Sequence, residues 1–375
     1  MDWVGFRAEF PVTERWAFFD HAAVAPIPRR ASAALATYAD GIARHGIADI
    51  LTWVRRLAHV RALAARLVNA PSADDILFVP NTTVGIGLIA EGFPWQPGDN
   101  VVLPAEEYPS NLYPWMNLAG RGVEVRAVPS RGNRIALDDI VAAITLRTRL
   151  LSVSAVEFAS GFRNDLDALG ELCRARGILF FVDAIQALGA FPIDVQRTPI
   201  DALAADGHKW MLAPEGAGFG YIRSEWVERL HPIGVGAHSV VNPFEYHVTD
   251  FRLKPHAGRW EGGALNVPGL SALGASLELF EEFGHAEIES RILELTDYLC
   301  EHAPRRGWEV FSDREGSARS GIVALVHPTI PPKVAMKACR DASVIVNSRA
   351  NRLRISPHAY NTTDEIDRLL AALPS

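Results

Sequence analysis

The sequence of 375 residues has only three cysteines, Cys173, Cys300 and Cys339. They form no CxxC pair and no metal-ligand spacing, so neither a zinc module nor a disulfide framework is implied. Basic residues do not predominate: 37 Lys and Arg stand against 44 Asp and Glu, a net charge of −7. A surface built to neutralise nucleic-acid phosphates is not expected. No apolar run reaches membrane-spanning length, and the opening MDWVGFRAEFPVTERW lacks the basic and apolar segments of a secretory leader. The expectation is a cytoplasmic protein with no membrane partner. No repeat of solenoid period, Ser/Pro-rich linker or charge block divides the chain. A GxGxxG fingerprint between a first strand and helix is also missing. GAGFG (216–220) precedes a strand, the wrong context for a dinucleotide.

Apolar residues make up 49% and charged residues 22% of the chain, enough for a substantial core. Residues 29–69 read as helix, with Leu35, Tyr38, Ile42, Val60, Leu63 and Leu67 at near-helical spacing. From residue 76, short apolar runs alternate with helical segments. The runs are ILFV (76–79), NVVL (100–103), VEVRAV (123–128), LLSVSAV (150–156) and ILFFVDA (178–184). Such a pattern gives an α/β fold with a mostly parallel sheet covered on both faces, and ligands at the carboxyl ends of its strands. A smaller α+β lobe is expected to begin near Gly269. The predicted division is a large domain over 21–268 and a small one formed by 1–20 and 269–375.

Three segments carry chemistry. In ADGHKWMLAPEGAGFGY (205–221), Lys209 sits in a small, apolar, glycine-rich context. Desolvated, it would be a Schiff-base nucleophile; otherwise it is a surface lysine. In FFVDAIQALG (180–189), Asp183 ends a buried strand. It either pairs with a cation, such as a protonated heterocyclic nitrogen, or caps the next helix. In NTTVGIG (81–87), Thr82 and Thr83 open a helix. There they hold an anion or simply cap. Together, an amine, a strand-end acid and an anion cradle suit pyridoxal 5'-phosphate, which needs one of each.

Eight motifs then occur in order along nearly the whole chain: FFDHAAVAPIP (18–28), NTTVGI (81–86), EEYPSNLYPW (106–115), SGFRNDL (160–166), VDAIQ (182–186), DGHKW (206–210), RWEGGALN (259–266) and RISPHAYNTTDEID (354–367). On them the sequence resembles the class V aminotransferase superfamily of pyridoxal-phosphate enzymes, which includes cysteine desulfurases, kynureninases and isopenicillin-N-epimerase-like proteins. The resemblance implies the type I, aspartate-aminotransferase-like fold. It implies that Lys209 binds the cofactor aldehyde, Asp183 the pyridinium nitrogen and Gln186 the ring hydroxyl. It places Thr82, Thr83 and His208 on the phosphate and Tyr108 stacked on the ring. Arg354 falls at the position for the substrate carboxylate. His21 either touches substrate or caps the turn before Pro26. A Glu157–Arg163 pair beside the Ser160-Gly161 turn is expected to be structural. Relatives of this kind are two-fold dimers with RWEGGALN reaching across the interface.

Several positions depart from the desulfurase pattern. The stretch VIVNSRANRLRIS (344–356) is too short for the loop that bears the nucleophilic cysteine, and has no cysteine. Phe158 stands for an asparagine, Ala264 for a threonine and Asp206 for a phosphate-binding serine. Phe158 and Trp210 point to a pocket that is not strongly charged. The expected activity is a pyridoxal-phosphate-dependent reaction of a small-molecule amino acid, by transamination or by β-elimination of the lyase type. Epimerisation stays open as an alternative, with cysteine desulfuration and a non-catalytic cofactor-binding relative behind it.

Overall fold

The computed structural model describes residues 1–245 and 247–374. Its strands are β1 (Ala17–Phe18), β2 (Ile76–Val79), β3 (Asn100–Pro104), β4 (Glu124–Val128), β5 (Thr148–Ser154), β6 (Leu179–Asp183), β7 (Ala202–Asp206), β8 (Gly218–Ile222), β9 (Glu309–Val310), β10 (Val323–Val326), β11 (Val344–Ile345), β12 (Asn347–Arg349) and β13 (Arg352–Ile355). Seven form one sheet in the order β2-β8-β7-β6-β5-β3-β4. Only β8 breaks the parallel arrangement, running against both β2 and β7.

The sheet is apolar on both faces. Leu151, Phe180, Leu203 and Ala205 enter one core, and their neighbours Leu150, Phe181, Ala202 and Ala204 enter the other. Alternate side chains of a strand point to opposite faces, so burial on both sides erases the polar alternation and leaves continuous apolar runs. β7 and β8 lie beyond the five such runs in the sequence. They are rich in Ala and Gly, which have little strand preference of their own. The helical run 29–69 is two helices, Arg29–His45 and Ile50–Leu67, parted at Gly46, whose φ of +54° ends the first.

A four-stranded antiparallel sheet, β12-β13-β10-β9, forms a second layer, with β1 and β11 paired beside it. Its core takes Leu295, Leu299, Trp308, Val323 and Leu353. The helix Val267–Phe283, assigned to the small lobe from its position after residue 269, instead shares the core of the large sheet through Leu270, Leu273 and Leu277. Its small residues Ala272 and Ala275 meet Ala31, which lets it lie close against the helix Arg29–His45. Phe6 and Phe10 join that same core.

The carboxyl ends of β2, β3, β5, β6 and β7 are neighbours, and the helix Thr82–Gly92 starts directly after β2. Gly85 allows this helix to touch the sheet. A Cβ built there would lie 2.4 Å from the Cβ of Ala204 on β7. Gly85→Ala should therefore destabilise the fold by about 1–3 kcal/mol through overpacking, read as a lowered denaturation midpoint. An unchanged midpoint would show that the helix start can shift without loss.

Candidate active site

At this strand edge lies a cleft of about 340 Å³, lined by Asp183, Lys209, Thr82, Thr83, Tyr108, Gln186, His208 and Arg354 among others. The sequence-predicted residues are thus brought together, with one exception. His21 is fully buried away from the cleft wall. Its Nδ1 pairs with the Ser356 carbonyl at 2.8 Å and its Nε2 with the Tyr360 hydroxyl at 2.7 Å. Burial pushes its pKa down to about 3. Both ring nitrogens are engaged, so no nitrogen is left for a substrate.

Lys209 follows β7 and is 9% exposed. Burial is the main cause that lowers its pKa, to about 8, with nearby Asp183 opposing. Its Nζ lies 5.5 Å from the centre of the Tyr108 ring. Tyr108 is 43% exposed and meets Phe158 edge-on, ring centres 5.1 Å apart. Asp183 ends β6, with Oδ1 accepting the Ile185 N–H at 3.0 Å. Burial raises it to about 6. Gln186 donates to the Ala22 carbonyl at 3.1 Å and accepts the Trp210 indole N–H at 2.9 Å, leaving one amide hydrogen.

The helix start after β2 is an anion cradle. Asn81 caps it, accepting the Val84 N–H at 2.9 Å. The first-turn amides have no intrahelical partner. The Thr82 hydroxyl accepts the Asp206 N–H at 3.0 Å, and the Thr83 hydroxyl donates to Ser110 at 2.8 Å. Asp206 does not leave an unpaired charge here: it accepts from the Gly207 N–H and pairs with His208 Nδ1, both at 2.7 Å. The carboxylate in place of serine is thereby tied to an imidazole.

Other groups carry no signal strong enough to be picked from sequence. Arg349 also lines the cleft, as does Glu215. Asp20 binds Arg354 at 3.1 Å from behind. Two arginines, Lys209, His208, Asp183, Asp206 and Glu215 make the cleft strongly charged, where a weakly charged one was expected. Trp210 lies fully buried beneath it. The expected Glu157–Arg163 pair does not form: Glu157 accepts from Asn164 at 2.9 Å, while Arg163 reaches Glu289 at 2.8 Å. Glu157 and Glu107 are both buried near Asp183. Glu107 accepts the Ser154 N–H at 2.6 Å and the Ser154 hydroxyl at 2.5 Å. Burial, reinforced by repulsion from Glu107 and Asp183, raises Glu157 well above the usual range, and burial with repulsion from Asp183 raises Glu107 to about 8.

The sequence pattern of the family described as aminotransferase class-V matches residues 17–369, and the chain belongs to that family. It is a pyridoxal-phosphate-dependent enzyme of fold type I. It is 30% identical to a Klebsiella pneumoniae protein named cysteine desulfurase, over 98% of this chain and 96% of that one. The solved structure of the cysteine desulfurase CsdA from Escherichia coli superposes with a TM-score of 0.88 at 26% identity, covering 99% of this chain and 97% of that one. The cystine C–S lyase C-DES shares the fold, with a TM-score of 0.90 at 21% identity over 98% of this chain and all (100%) of that one. The donor set fits the cofactor. Lys209 offers a desolvated amine, Asp183 a buried acid with one oxygen left for a cationic N–H, and the helix start offers hydroxyls and amides to a phosphate.

Glu107 gives a pH test of the buried acids. Folded, it holds its proton up to about pH 8; unfolded, it releases it near 4.5. Between these values folding takes up a proton, so the contribution of Glu107 to stability falls as pH rises through the window. Glu107→Gln lacks this dependence. Its denaturation midpoint should gain on the parent's as pH rises from about 4.5 to 8. A difference that stays constant with pH would mean that Glu107 is ionised throughout.

Proposed function

We propose that this enzyme catalyses β-elimination from an α-amino acid that carries a leaving group on Cβ, and releases that group free. The observation that carries the reading is a buried amine, Lys209, facing Asp183 and Tyr108 in a cleft whose wall has two arginines and no cysteine. The relatives named cysteine desulfurase favour the lyase branch over transamination. Transfer of sulfur onto an enzyme thiol has no support here. Cys173 and Cys339 are buried and Cys300 is half-buried, with burial raising Cys339 to about 12 and Cys300 to about 11. None of the three lines the cleft.

Pyridoxal phosphate, when bound, supplies an aldehyde that condenses with amines and a ring that accepts electrons from bonds at Cα. Thr82, Thr83 and the helix start would hold its phosphate, Asp183 would hold a proton at its ring nitrogen, and Tyr108 would cover its face. Lys209, with its proton affinity lowered to the neutral range, takes the proton from the substrate Cα. The leaving group departs from Cβ with the bonding pair. Lys209 gives that proton to the departing group, which leaves in its protonated form, and water hydrolyses the released enamine product to a 2-oxo acid and ammonia.

Incubation with β-chloro-L-alanine and with L-cysteine tests this. A 2-oxo acid and ammonia should form in equal amounts from at least one of them, with no added 2-oxo acid. Dependence on an added 2-oxo acid would mean transamination instead. Lys209→Ala should lower turnover on the order of 10²–10⁴-fold or more while the fold stays intact. Wild-type turnover in that variant would remove Lys209 from the reaction.

A second copy of the chain is the proposed partner. Val241, Phe244, Val248 and Phe251, close together in the sequence, are exposed, apolar surface that a neighbouring copy would cover. Light scattering at micromolar concentration should give twice the chain mass, and a clean monomer would contradict the pairing.

A further inference from the structure

A second cavity lies against the catalytic cleft. It measures about 290 Å³, and Phe158, Ala159, Ile135, Phe311 and Ala350 supply its apolar walls. Phe158 also lines the catalytic cleft, so this residue stands between the two spaces. The β12–β13 turn borders both as well: Arg349 lines the cleft and its neighbour Ala350 the cavity.

Phe158 and Ala159 sit at the tip of a tight turn. The Glu157 carbonyl accepts the Gly161 N–H at 2.9 Å, and the Glu157 N–H donates to the Phe162 carbonyl at 2.8 Å. Arg354 Nη1 donates to the Phe158 carbonyl at 3.1 Å. Gly161 has a φ of +75°, and a Cβ there would lie 2.3 Å from the Ile322 carbonyl oxygen, so the turn is held against the segment leading into β10. The backbone is thus fixed. The half-buried Phe158 ring, edge-on to Tyr108, is the part that can change rotamer.

The polar groups on the cavity wall are engaged with protein partners. Glu106 accepts the Ser130 N–H at 3.1 Å and the Ser130 hydroxyl at 3.0 Å. Asn133 donates to the Phe311 carbonyl at 2.7 Å, and the Ser160 hydroxyl accepts the Phe162 N–H at 3.2 Å. The Arg352 guanidinium lies 3.5 Å from the centre of the Phe311 ring. Glu157 is 6% exposed, and its burial favours the uncharged form. The space between these groups is therefore apolar, beside a catalytic cleft that is strongly charged.

We infer that this cavity is the side-chain subsite of the enzyme, that it receives an apolar group carried on the substrate Cβ, and that Phe158 controls the passage into it. This rests on the proposed elimination from an α-amino acid. With the substrate amino group at Lys209, an apolar β-substituent left in the charged cleft would gain little. Beyond Phe158 it exchanges water for phenyl, isoleucyl and methyl walls. An apolar cavity of about 150 Å³ is large enough for benzene, so this one has room for a phenyl ring and its linking atoms. The substrate class is then the L-cysteine thioethers whose sulfur bears an apolar group, released as the free thiol.

The test uses the cofactor-loaded enzyme and reads binding beside turnover. L-Alanine and L-homophenylalanine share the α-amino and α-carboxylate groups and have no leaving group; only the second carries a phenyl ring. Apparent Kd is read from the change in visible absorption on titration. The parent should bind L-homophenylalanine roughly 10-fold or more tightly than L-alanine. Ile135 and Ala159 line the cavity and not the cleft, so Ile135→Trp and Ala159→Phe each fill it from behind. Either should raise Kd for L-homophenylalanine by roughly 10-fold and leave Kd for L-alanine within about twofold. Turnover of S-benzyl-L-cysteine should fall in the same variants while that of β-chloro-L-alanine holds. Equal parent affinities for the two probes overturn the inference. So do filling variants that weaken both probes alike, or neither. A parent that forms no 2-oxo acid from β-chloro-L-alanine, L-cysteine or S-benzyl-L-cysteine overturns the proposed function itself.

Discussion

The site depends on keeping the amine of Lys209 out of water while leaving it reachable. A lysine on the surface holds its proton firmly at neutral pH and is a poor nucleophile. Here the chain turns just past β7 and returns through β8, so Lys209 is enclosed by the edge of its own sheet. The parallel order places Asp183 and the helix start after β2 at that same edge. Had β2 run the other way, Thr82 would sit at the opposite end of the sheet. The antiparallel β8 lets the chain return beside β7 without moving β2 out of alignment.

That enclosure burdens the neighbouring acids. Asp183, Glu107 and Glu157 are all nearly excluded from water, and each is raised. Three buried negative charges beside one lysine would be strongly unfavourable. The structure answers with neutral donors: Ser154 gives two hydrogen bonds to Glu107, and Asn164 gives one to Glu157. Ser154 is also the register neighbour of Asp183 on the adjacent strand, so the backbone that holds Glu107 is continuous with the backbone that holds Asp183. The acids are best satisfied when they share fewer than three charges. A cationic ring nitrogen held against Asp183 would offset part of that repulsion.

Much of this was legible in the sequence, for physical reasons. Four strands announced themselves because both faces of the sheet are buried there, and the edge strand β4 by its alternation of apolar and polar residues. Lys209, Asp183, Thr82 and Thr83 lie just after or at strand ends, where polar residues interrupt apolar runs and attract notice. The residues that escaped are of another kind. Asp20 and Arg349 are brought to the site from very short elements: Asp20 follows the two-residue β1, whose partner β11 lies far along the chain, and bridges Ser356, while Arg349 ends the three-residue β12. Glu107 and Ser154 are ordinary residue types whose interest lies only in being buried together. His21 misled because a histidine in a recognised motif resembles a ligand-binding group until its two nitrogens are seen to be occupied.

The hairpin between β12 and β13 explains why this site has arginine where a nucleophilic cysteine would otherwise be sought. Its turn is only Ala350 and Asn351, both in the left-handed region with φ of 46° and 57°. Such a turn matches strand twist and holds the register rigidly. A rigid register keeps Arg349 and Arg354 on one face, tied through Asn347 and Asp20. A longer, mobile loop could carry a thiol to the leaving group, but it would surrender this fixed placement of positive charge. The short hairpin therefore fixes two guanidinium groups at the cleft and offers no thiol there, and the proposed elimination with free release accords with that arrangement.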